Sequence, residues 1–202
     1  PAVPPPPGPD RFLLAVDRPE NFTALLELLA SGEAAFSPAG LQLQLRPALL
    51  SAEQVAHLAQ AWRARPPALA DLPLRLGLPA IVRDDELSGL GRLLQSLAAA
   101  GISRSYALAN LASRELLQEL GLLAADVSLA TEPQLPTHNT ETIRFWAGQG
   151  VELIGLSLED DLANLRRLRR DWPATDARPL LILYQDVPLL VADEQYEGFC
   201  VQ

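Results

Sequence analysis

Short apolar runs alternate with amphipathic segments along almost the whole chain, and this alternation constrains the fold more than any other feature. Seven of the runs have the length and composition of β-strands. They cover residues 12–16, 41–45, 72–78, 105–109, 126–130, 152–157 and 180–184, and a further apolar run occupies 188–191. Strands that are separated by helices pair in parallel, because a parallel connection needs a crossover segment. The chain is therefore predicted to fold as an α/β protein with a parallel sheet.

The segments between these strands carry helix signals. Apolar residues from 22 to 29 follow the i, i+3, i+4, i+7 spacing of one helical face. Ser51 and Gln54 form the pattern of a capping box, and the acidic run 84–86 suits the first turn of a helix. The alternation LQLQL at 41–45 predicts a strand with one wet face. Helices are predicted at about 21–29, 51–65, 84–101, 113–121, 140–148 and 159–170.

Two architectures contain such an alternation, an open doubly wound sheet and a closed (β/α) barrel. The first predicted strand is not followed by a glycine-rich phosphate-binding fingerprint, and this favours the barrel. We therefore expect a TIM-like parallel (β/α) barrel of seven to eight units. An eight-unit barrel typically needs about 250 residues, so a chain of 202 residues is expected to be compact and can lack its last unit.

The first ten residues read PAVPPPPGPD, and so many prolines cannot join a helix or a central strand. Residues 1–10 are therefore interpreted as a semi-rigid polyproline linker, with a ligand for a proline-recognition module as the alternative. The barrel domain is expected to occupy residues 11–202. The chain begins without Met and contains none, which predicts that it is a piece of a longer polypeptide.

Composition excludes several kinds of site. Lysine is absent, so Schiff-base chemistry and lysine-dependent phosphate sites are ruled out. Cys200 is the only cysteine, which excludes an internal disulfide framework and a self-contained zinc or iron–sulfur site. The formal charge of −9 argues against nucleic acid as a partner of this chain. No apolar run has the roughly 18–20 residues of a membrane span, so we expect a cytoplasmic location and no membrane partner.

In a parallel barrel, reactive groups gather just after the carboxyl ends of the strands. The polar residues at these positions are Asp17, Arg18, Arg83, Asp84, Asp85, Glu86, Asn110, Glu132, His138, Asn139, Ser157, Glu159, Asp160, Gln185 and Asp186. Many of them also suit helix starts, so Asp84 and Ser113 are interpreted as N-terminal helix residues. The stretch 157–160 likewise fits a cap followed by an acidic first turn.

His138 lies in the longest of these loops, TEPQLPTHN, and histidine is the side-chain type whose ordinary pKa is near neutrality. It is therefore a candidate catalytic residue, with an exposed loop histidine as the alternative. His57 lies inside a predicted helix and is interpreted as structural. The arginines at 166, 167, 169 and 170 suit the end of a helix, with an RNA-phosphate role as the alternative. No Ser-His-Asp order, G-x-S-x-G elbow or carboxylate spacing identifies a catalytic set.

Four stretches of the second half of the chain carry a family resemblance: LANL at 108–111, NTETIRF at 139–145, VELIGLSLE at 151–159 and LLILYQDVPLL at 180–190. Together they resemble the collagenase-like peptidase family U-32. The family's strand ending, G-hydrophobic-x-x-hydrophobic-S-P-E, is matched by residues 150–159 with Leu158 in place of proline. Its asparagine before the preceding helix is matched by Asn139.

The resemblance implies a barrel with peptidase activity on protein substrates. With His138, the candidate catalytic residues are then Glu159, Ser157 and Asn139. The family's cysteine signature, E-x-F-x-x-G-[SA]-hydrophobic-C-x(4)-G-x-C, falls near the seventh predicted strand. In several family members such cysteines hold an iron–sulfur cluster that serves the hydroxylation of RNA or quinone substrates.

This chain departs from the cysteine signature at most of its positions. Leu181, Leu183, Asp186 and Leu189 stand where glutamate, phenylalanine, glycine and the first cysteine would be. Cys200 matches the last cysteine only with an insertion. The resemblance thus implies Cys200 as a single iron–sulfur ligand, with the remaining ligands beyond residue 202.

Three functions remain open on the sequence. The first is a peptidase barrel, which a cleavage assay of protein substrates tests. The second is an iron–sulfur-dependent hydroxylation module, which requires more cysteines beyond residue 202. The third is a non-catalytic barrel domain that packs on other domains of the parent polypeptide and exposes a large apolar face.

Overall fold

A computed structural model describes residues 12–16, 19–32, 41–45, 50–102, 104–135, 137–157 and 159–181. It contains one sheet of seven strands, which lie side by side in the order of the chain. Every neighbouring pair is parallel. The strands are β1 Phe12–Val16, β2 Leu41–Leu45, β3 Leu74–Gly77, β4 Ser105–Leu108, β5 Ser128–Thr131, β6 Val151–Gly155 and β7 Arg178–Leu180.

An α-helix connects each strand to the next, which confirms the predicted parallel α/β fold. The helices are α1 Pro19–Ser31, α2 Ala52–Arg63, α3 Asp84–Ala99, α4 Leu111–Glu119, α5 Thr140–Gly148 and α6 Leu162–Arg170, and a short 3-10 helix covers Pro67–Leu69. The sheet is curled into a half-barrel in which β1 and β7 are the two end strands. This architecture is consistent with a partial parallel barrel.

The predicted bounds of β1, β2 and α5 agree with the structure, and two predicted helix starts are wrong. Helix α4 begins before Ser113, because the Oδ1 atom of Asn110 accepts a hydrogen bond from the Ser113 amide at 2.7 Å and caps the helix. Helix α6 begins later than residue 159, because Asp161 is its N-cap and accepts from the Asn164 amide at 2.6 Å. The linker at 1–10, the end of the seventh predicted strand and the run 188–191 lie outside the described residues.

Local signals explain the ends of other helices. The capping box of α2 is present, since the Ser51 hydroxyl accepts from the Gln54 amide and the Gln54 side chain accepts from the Ser51 amide. Gly101 and Gly121 follow α3 and α4 with φ angles of 69° and 68°, a left-handed conformation that glycine adopts without strain. Both glycines were predicted to end these helices.

The hydrophobic core lies between the outer face of the sheet and the helices. Leucines of β2, β3 and β4 alternate with inward residues and belong to one cluster with apolar side chains of every helix. Leu43, Leu76 and Leu108 are fully buried in this cluster, together with Phe22 of α1 and Leu117 of α4. The stability of the fold therefore rests on this outer layer.

The inner face of the sheet has a different composition. In register it carries Gln44, Arg75, Ser105 and Ser128 at one level, and Gly77, Ala107 and Ala130 at the next. None of these residues belongs to the hydrophobic cluster. The prediction that the glutamines of LQLQL form a wet face is wrong for Gln44, which is only 2% exposed. The sheet curls over this residue and supplies a hydrogen-bond partner for its amide.

Candidate active site

Two loops at the carboxyl edge of the sheet, the edge formed by the strand C-termini, lie side by side. They connect β5 to α5 and β6 to α6, and they are neighbours because β5 and β6 pair in parallel. The first loop carries His138, and the second carries Ser157, Glu159 and Asp160. Three of the four predicted catalytic residues are therefore on these two loops, and Asn139 follows His138 directly.

His138 and Asp160 form the central contact of this region. The Nδ1 atom of His138 lies 3.0 Å from the Oδ1 atom of Asp160. The Asp160 side chain is only 5% exposed, whereas the imidazole of His138 is 40% exposed. The neutral tautomer that fits this contact carries its proton on Nδ1 and donates to the carboxylate, which leaves Nε2 as the acceptor. A buried carboxylate thus orients a histidine that solvent can reach.

Asn164 of α6 holds both members of the pair. Its Nδ2 atom donates to Asp160 Oδ1 at 2.7 Å and to the His138 carbonyl oxygen at 3.0 Å. Its Oδ1 atom accepts from an Arg167 guanidinium nitrogen at 2.5 Å. Because one amide bridges a side chain of the second loop and the backbone of the first, the distance between the two loops is fixed.

The second oxygen of Asp160 has no such contact. Oδ2 is buried, and it has no hydrogen-bond partner among the residues that the structure describes. A buried acceptor without a donor costs about 1–3 kcal/mol. Such unsatisfied groups are uncommon in folded proteins and are found at functional sites.

A close backbone approach keeps β5 and β6 in position below these loops. The Gly155 amide donates to the Thr131 hydroxyl at 2.9 Å. A Cβ atom on Gly155 would lie 2.7 Å from the Thr131 carbonyl oxygen and 3.0 Å from the backbone of Glu132. Only glycine therefore fits at this position without a shift of the backbone.

The other predicted catalytic residues have different surroundings. The Ser157 hydroxyl accepts from the Glu159 amide at 3.3 Å, and the Ser157 carbonyl accepts from the Asp160 amide at 3.4 Å. No hydrogen bond joins Ser157 to His138 within the described ranges. Glu159 is exposed. Asn139 is the N-cap of α5, with its side-chain oxygen 2.9 Å from the Thr142 amide.

Several further residues of this edge have structural contacts. Asn110 caps α4 and donates to the carbonyl oxygen of Ala80 at 2.8 Å. Glu132, which is 4% exposed, accepts from Gln44 Nε2 at 2.5 Å.

Other predictions concern residues away from this edge or outside the described ranges. His57 is exposed on α2, with Nε2 3.5 Å from the Thr23 hydroxyl. The basic last turn of α6 is confirmed. Predicted positions outside the described residues are Asp17, Arg18, Gln185 and Asp186.

The described part of the chain contains no group of three or more His, Cys, Asp or Glu side chains placed to hold a metal ion. Cys200, the predicted iron–sulfur ligand, lies outside the described residues. The iron–sulfur hypothesis therefore stays a prediction.

Sequence reasoning did not identify the partners of His138. Asp160 is one of the polar residues that the sequence places after a strand, but the stretch 157–160 also fits a cap and an acidic first turn, and Asn164 lies within a helix. The signal that could have paired Asp160 with His138 is that their loops follow consecutive strands, since the carboxyl ends of neighbouring parallel strands meet at one edge. No sequence pattern distinguishes Arg75 and Gln44, which are buried, from polar residues on a solvent-exposed face of a strand.

No helix in the described ranges is long and apolar enough to cross a bilayer. Comparisons of the chain with protein-family models, curated proteins and solved structures gave no match.

Proposed function

We propose that this chain is a peptidase-like hydrolase domain in which His138 is the general base. The observation that carries the proposal is the 3.0 Å contact between His138 Nδ1 and the buried Asp160 carboxylate. It lies at the carboxyl edge of a parallel half-barrel, where barrel enzymes carry their reactive groups. The resemblance to family U-32 supports a protein substrate and a TIM-type barrel, and a cytoplasmic location is part of the same proposal.

In the proposed step, Nε2 of His138 accepts a proton from a water molecule as the water oxygen bonds to the peptide carbonyl carbon. The C–N bond then breaks, and the proton passes from His138 to the leaving nitrogen. The products are a carboxylic acid and an amine. Asp160 keeps the imidazole oriented and stabilises the imidazolium that forms between the two proton transfers.

Cleavage of gelatin and of a fluorogenic peptide library tests this proposal. His138→Gln is expected to lower the rate by about 10²- to 10⁴-fold, the usual contribution of a general base. Asp160→Asn is also expected to lower the rate, because its amide no longer stabilises an imidazolium. His57→Gln changes an exposed histidine of α2 and should leave the rate unchanged. A wild-type protein without cleavage, or full activity of His138→Gln, would contradict the proposal.

Two further variants test how the attacking oxygen is supplied. Ser157→Ala and Glu159→Gln should retain most of the activity if water attacks, because neither side chain forms a hydrogen bond with His138 within the described residues. A loss with Ser157→Ala as large as that with His138→Gln would instead identify Ser157 as the nucleophile.

A second candidate is a non-catalytic domain that packs on the rest of a longer polypeptide. Four exposed aliphatic residues favour it, because each follows a strand at the carboxyl edge. They are Ile81, Leu111, Leu162 and Leu181, which are 47%, 47%, 60% and 55% exposed. Leu162→Glu should then weaken binding to the remaining domains, with no cleavage activity in the wild type. Cleavage activity that survives Leu162→Glu would contradict this candidate.

A further inference from the structure

A cavity of about 460 Å³ lies at the amino-terminal edge of the sheet, opposite the edge that carries the His138–Asp160 pair. The starts of β3, β4 and β5 form one side of it, and the C-terminal ends of α3 and α4 form the other. Sites for small organic molecules usually have volumes of about 300–1,000 Å³. The larger aliphatic side chains of the lining are those of Leu74, Ile102, Leu122 and Val127.

The ends of α3 and α4 shape the mouth of this cavity. The amides of Gly101 and Ile102 donate to carbonyl oxygens in the last turn of α3, and those of Gly121 and Leu122 do the same at α4. Both glycines line the cavity, and a Cβ atom on either of them would have no atom of a non-adjacent residue within 4 Å. The glycines therefore end the two helices and also leave the mouth open between them.

Tyr106 supplies the polar group of the cavity that is not already paired. The residue lines the cavity and is only 1% exposed, and its hydroxyl has no hydrogen-bond partner among the residues that the structure describes. Burial raises the pKa of this hydroxyl, so it keeps its proton at neutral pH and can donate. Buried tyrosine hydroxyls usually have a partner. The unused donor thus indicates a ligand atom that accepts a hydrogen bond.

The charges at the mouth favour a neutral ligand. Arg104 and Asp126 both line the cavity and form an ion pair with each other. Their side chains are 74% and 56% exposed, so solvent reaches both charges. An ionised ligand would lose part of its hydration to a lining whose two charges already neutralise each other. A neutral molecule does not have this cost.

We propose that this cavity binds a small neutral carbonyl compound, a ketone or an ester with a hydrocarbon body, whose oxygen accepts a hydrogen bond from the Tyr106 hydroxyl. A carbonyl oxygen brings acceptors only, which matches the donor that Tyr106 offers. The hydrocarbon body gains from contact with the aliphatic side chains of the lining. Barrel enzymes carry their reactive groups at the opposite edge, so this is a binding site that does not depend on the hydrolase proposal.

Proton–nitrogen correlation NMR spectra of the full chain test the site, with acetophenone as the probe. α-Methylstyrene has the same shape with a methylene group in place of the carbonyl oxygen, and benzoate has the same ring with a negative charge. Acetophenone should shift the amide resonances of Gly101 and Gly121 at the mouth, and not that of Gly155 near the carboxyl edge. The wild type should bind acetophenone more tightly than either of the other two compounds.

Two variants separate the hydrogen bond from the cavity itself. Tyr106→Phe keeps the ring and removes the donor, so it should weaken acetophenone binding about 2- to 12-fold, the equivalent of one hydrogen bond, and leave α-methylstyrene binding unchanged. Ala98→Leu places a larger side chain in the cavity and should abolish binding of both compounds. Ala99→Leu is the matched control, because Ala99 is exposed on the same helix and does not line the cavity.

Equal affinities of the wild type for acetophenone and α-methylstyrene would overturn the proposal, because the carbonyl oxygen would then have no role. Full acetophenone affinity in Tyr106→Phe would overturn it for the same reason, and this comparison decides if Ala98→Leu does not fold. Tighter binding of benzoate would show that the mouth selects an anion, and would also contradict the proposal. So would unchanged amide resonances of Gly101 and Gly121, or wild-type affinity in a folded Ala98→Leu variant.

Discussion

The Gln44 side chain donates a hydrogen bond to the Glu132 carboxylate at 2.5 Å, although three strand spacings separate them along the sheet. In a flat sheet these positions would be about 14 Å apart. Both side chains are buried. Their contact therefore spans the inside of the curled sheet and joins β2 to the loop after β5.

Gln44→Leu is expected to lower the free energy of unfolding by about 1–3 kcal/mol, because buried Glu132 loses a donor. Urea denaturation measures the change. Gln42→Leu is the matched control, since Gln42 is on the same strand and face but is partly exposed. In the Gln44→Leu, Glu132→Leu double variant the loss should be smaller than the sum of the single losses. Equal losses for the two single glutamine variants would contradict the prediction.

Gly155→Ala is expected to destabilise the fold by about 1–3 kcal/mol, the usual cost of overpacking. The added Cβ would lie 2.7 Å from the Thr131 carbonyl oxygen, which is backbone and cannot move alone. Gly89→Ala, in the middle of α3, has nothing within 4 Å of the added atom and should stabilise the protein by about 0.5–1 kcal/mol. Thermal unfolding of both variants checks the opposite signs.

Asn139 is expected to stabilise the protein by capping helix α5. Asn139→Ala should cost about 0.5–2 kcal/mol, because the Thr142 amide loses its cap. Asn139→Ser keeps a capping oxygen and should restore most of this stability. If the serine variant regains stability but not cleavage activity, Asn139 has a role in the reaction besides the cap.

Tyr106 is expected to make the protein less stable above pH 10. Burial raises the pKa of its hydroxyl above the ordinary 10.0, so the unfolded chain loses this proton first and stability falls as pH rises through that range. Arg75 has the opposite effect on stability from about pH 10 upward. Burial lowers its pKa to about 10 in the folded chain, so the folded chain loses this proton before the unfolded chain does. Urea denaturation at increasing pH should therefore show a smaller alkaline loss for Tyr106→Phe than for the wild type. Identical pH slopes would contradict this assignment.

The fold was largely predictable because its signals are local. The apolar run of β2, the capping box at Ser51 and the glycines after α3 and α4 each determine an element within a few residues. The start of α4 was missed because Asn110 and Ser113 are both good capping residues. Only the three-dimensional contact shows which of them caps the helix.

The site was less predictable because its contacts are distant in sequence. His138 was a candidate from its residue type and its place after β5, but its partner Asp160 lies 22 residues further along the chain. The contact between Gln44 and Glu132 spans 88 residues. The periodicity of a sequence indicates which face of a strand or helix a residue occupies. It contains no information on which side chains lie across the inside of a curled sheet.

The separation of an apolar outer face from a polar inner face has a consequence for how such a chain can change. Substitutions on the inner face leave the leucine layer between sheet and helices untouched. A substitution at Ser105 or Ser128 therefore changes the polar contacts of the concave side, with Arg75 and Glu152, and leaves the packing of the leucine layer as it is. The convex side of the half-barrel and its concave side can in this sense be altered separately.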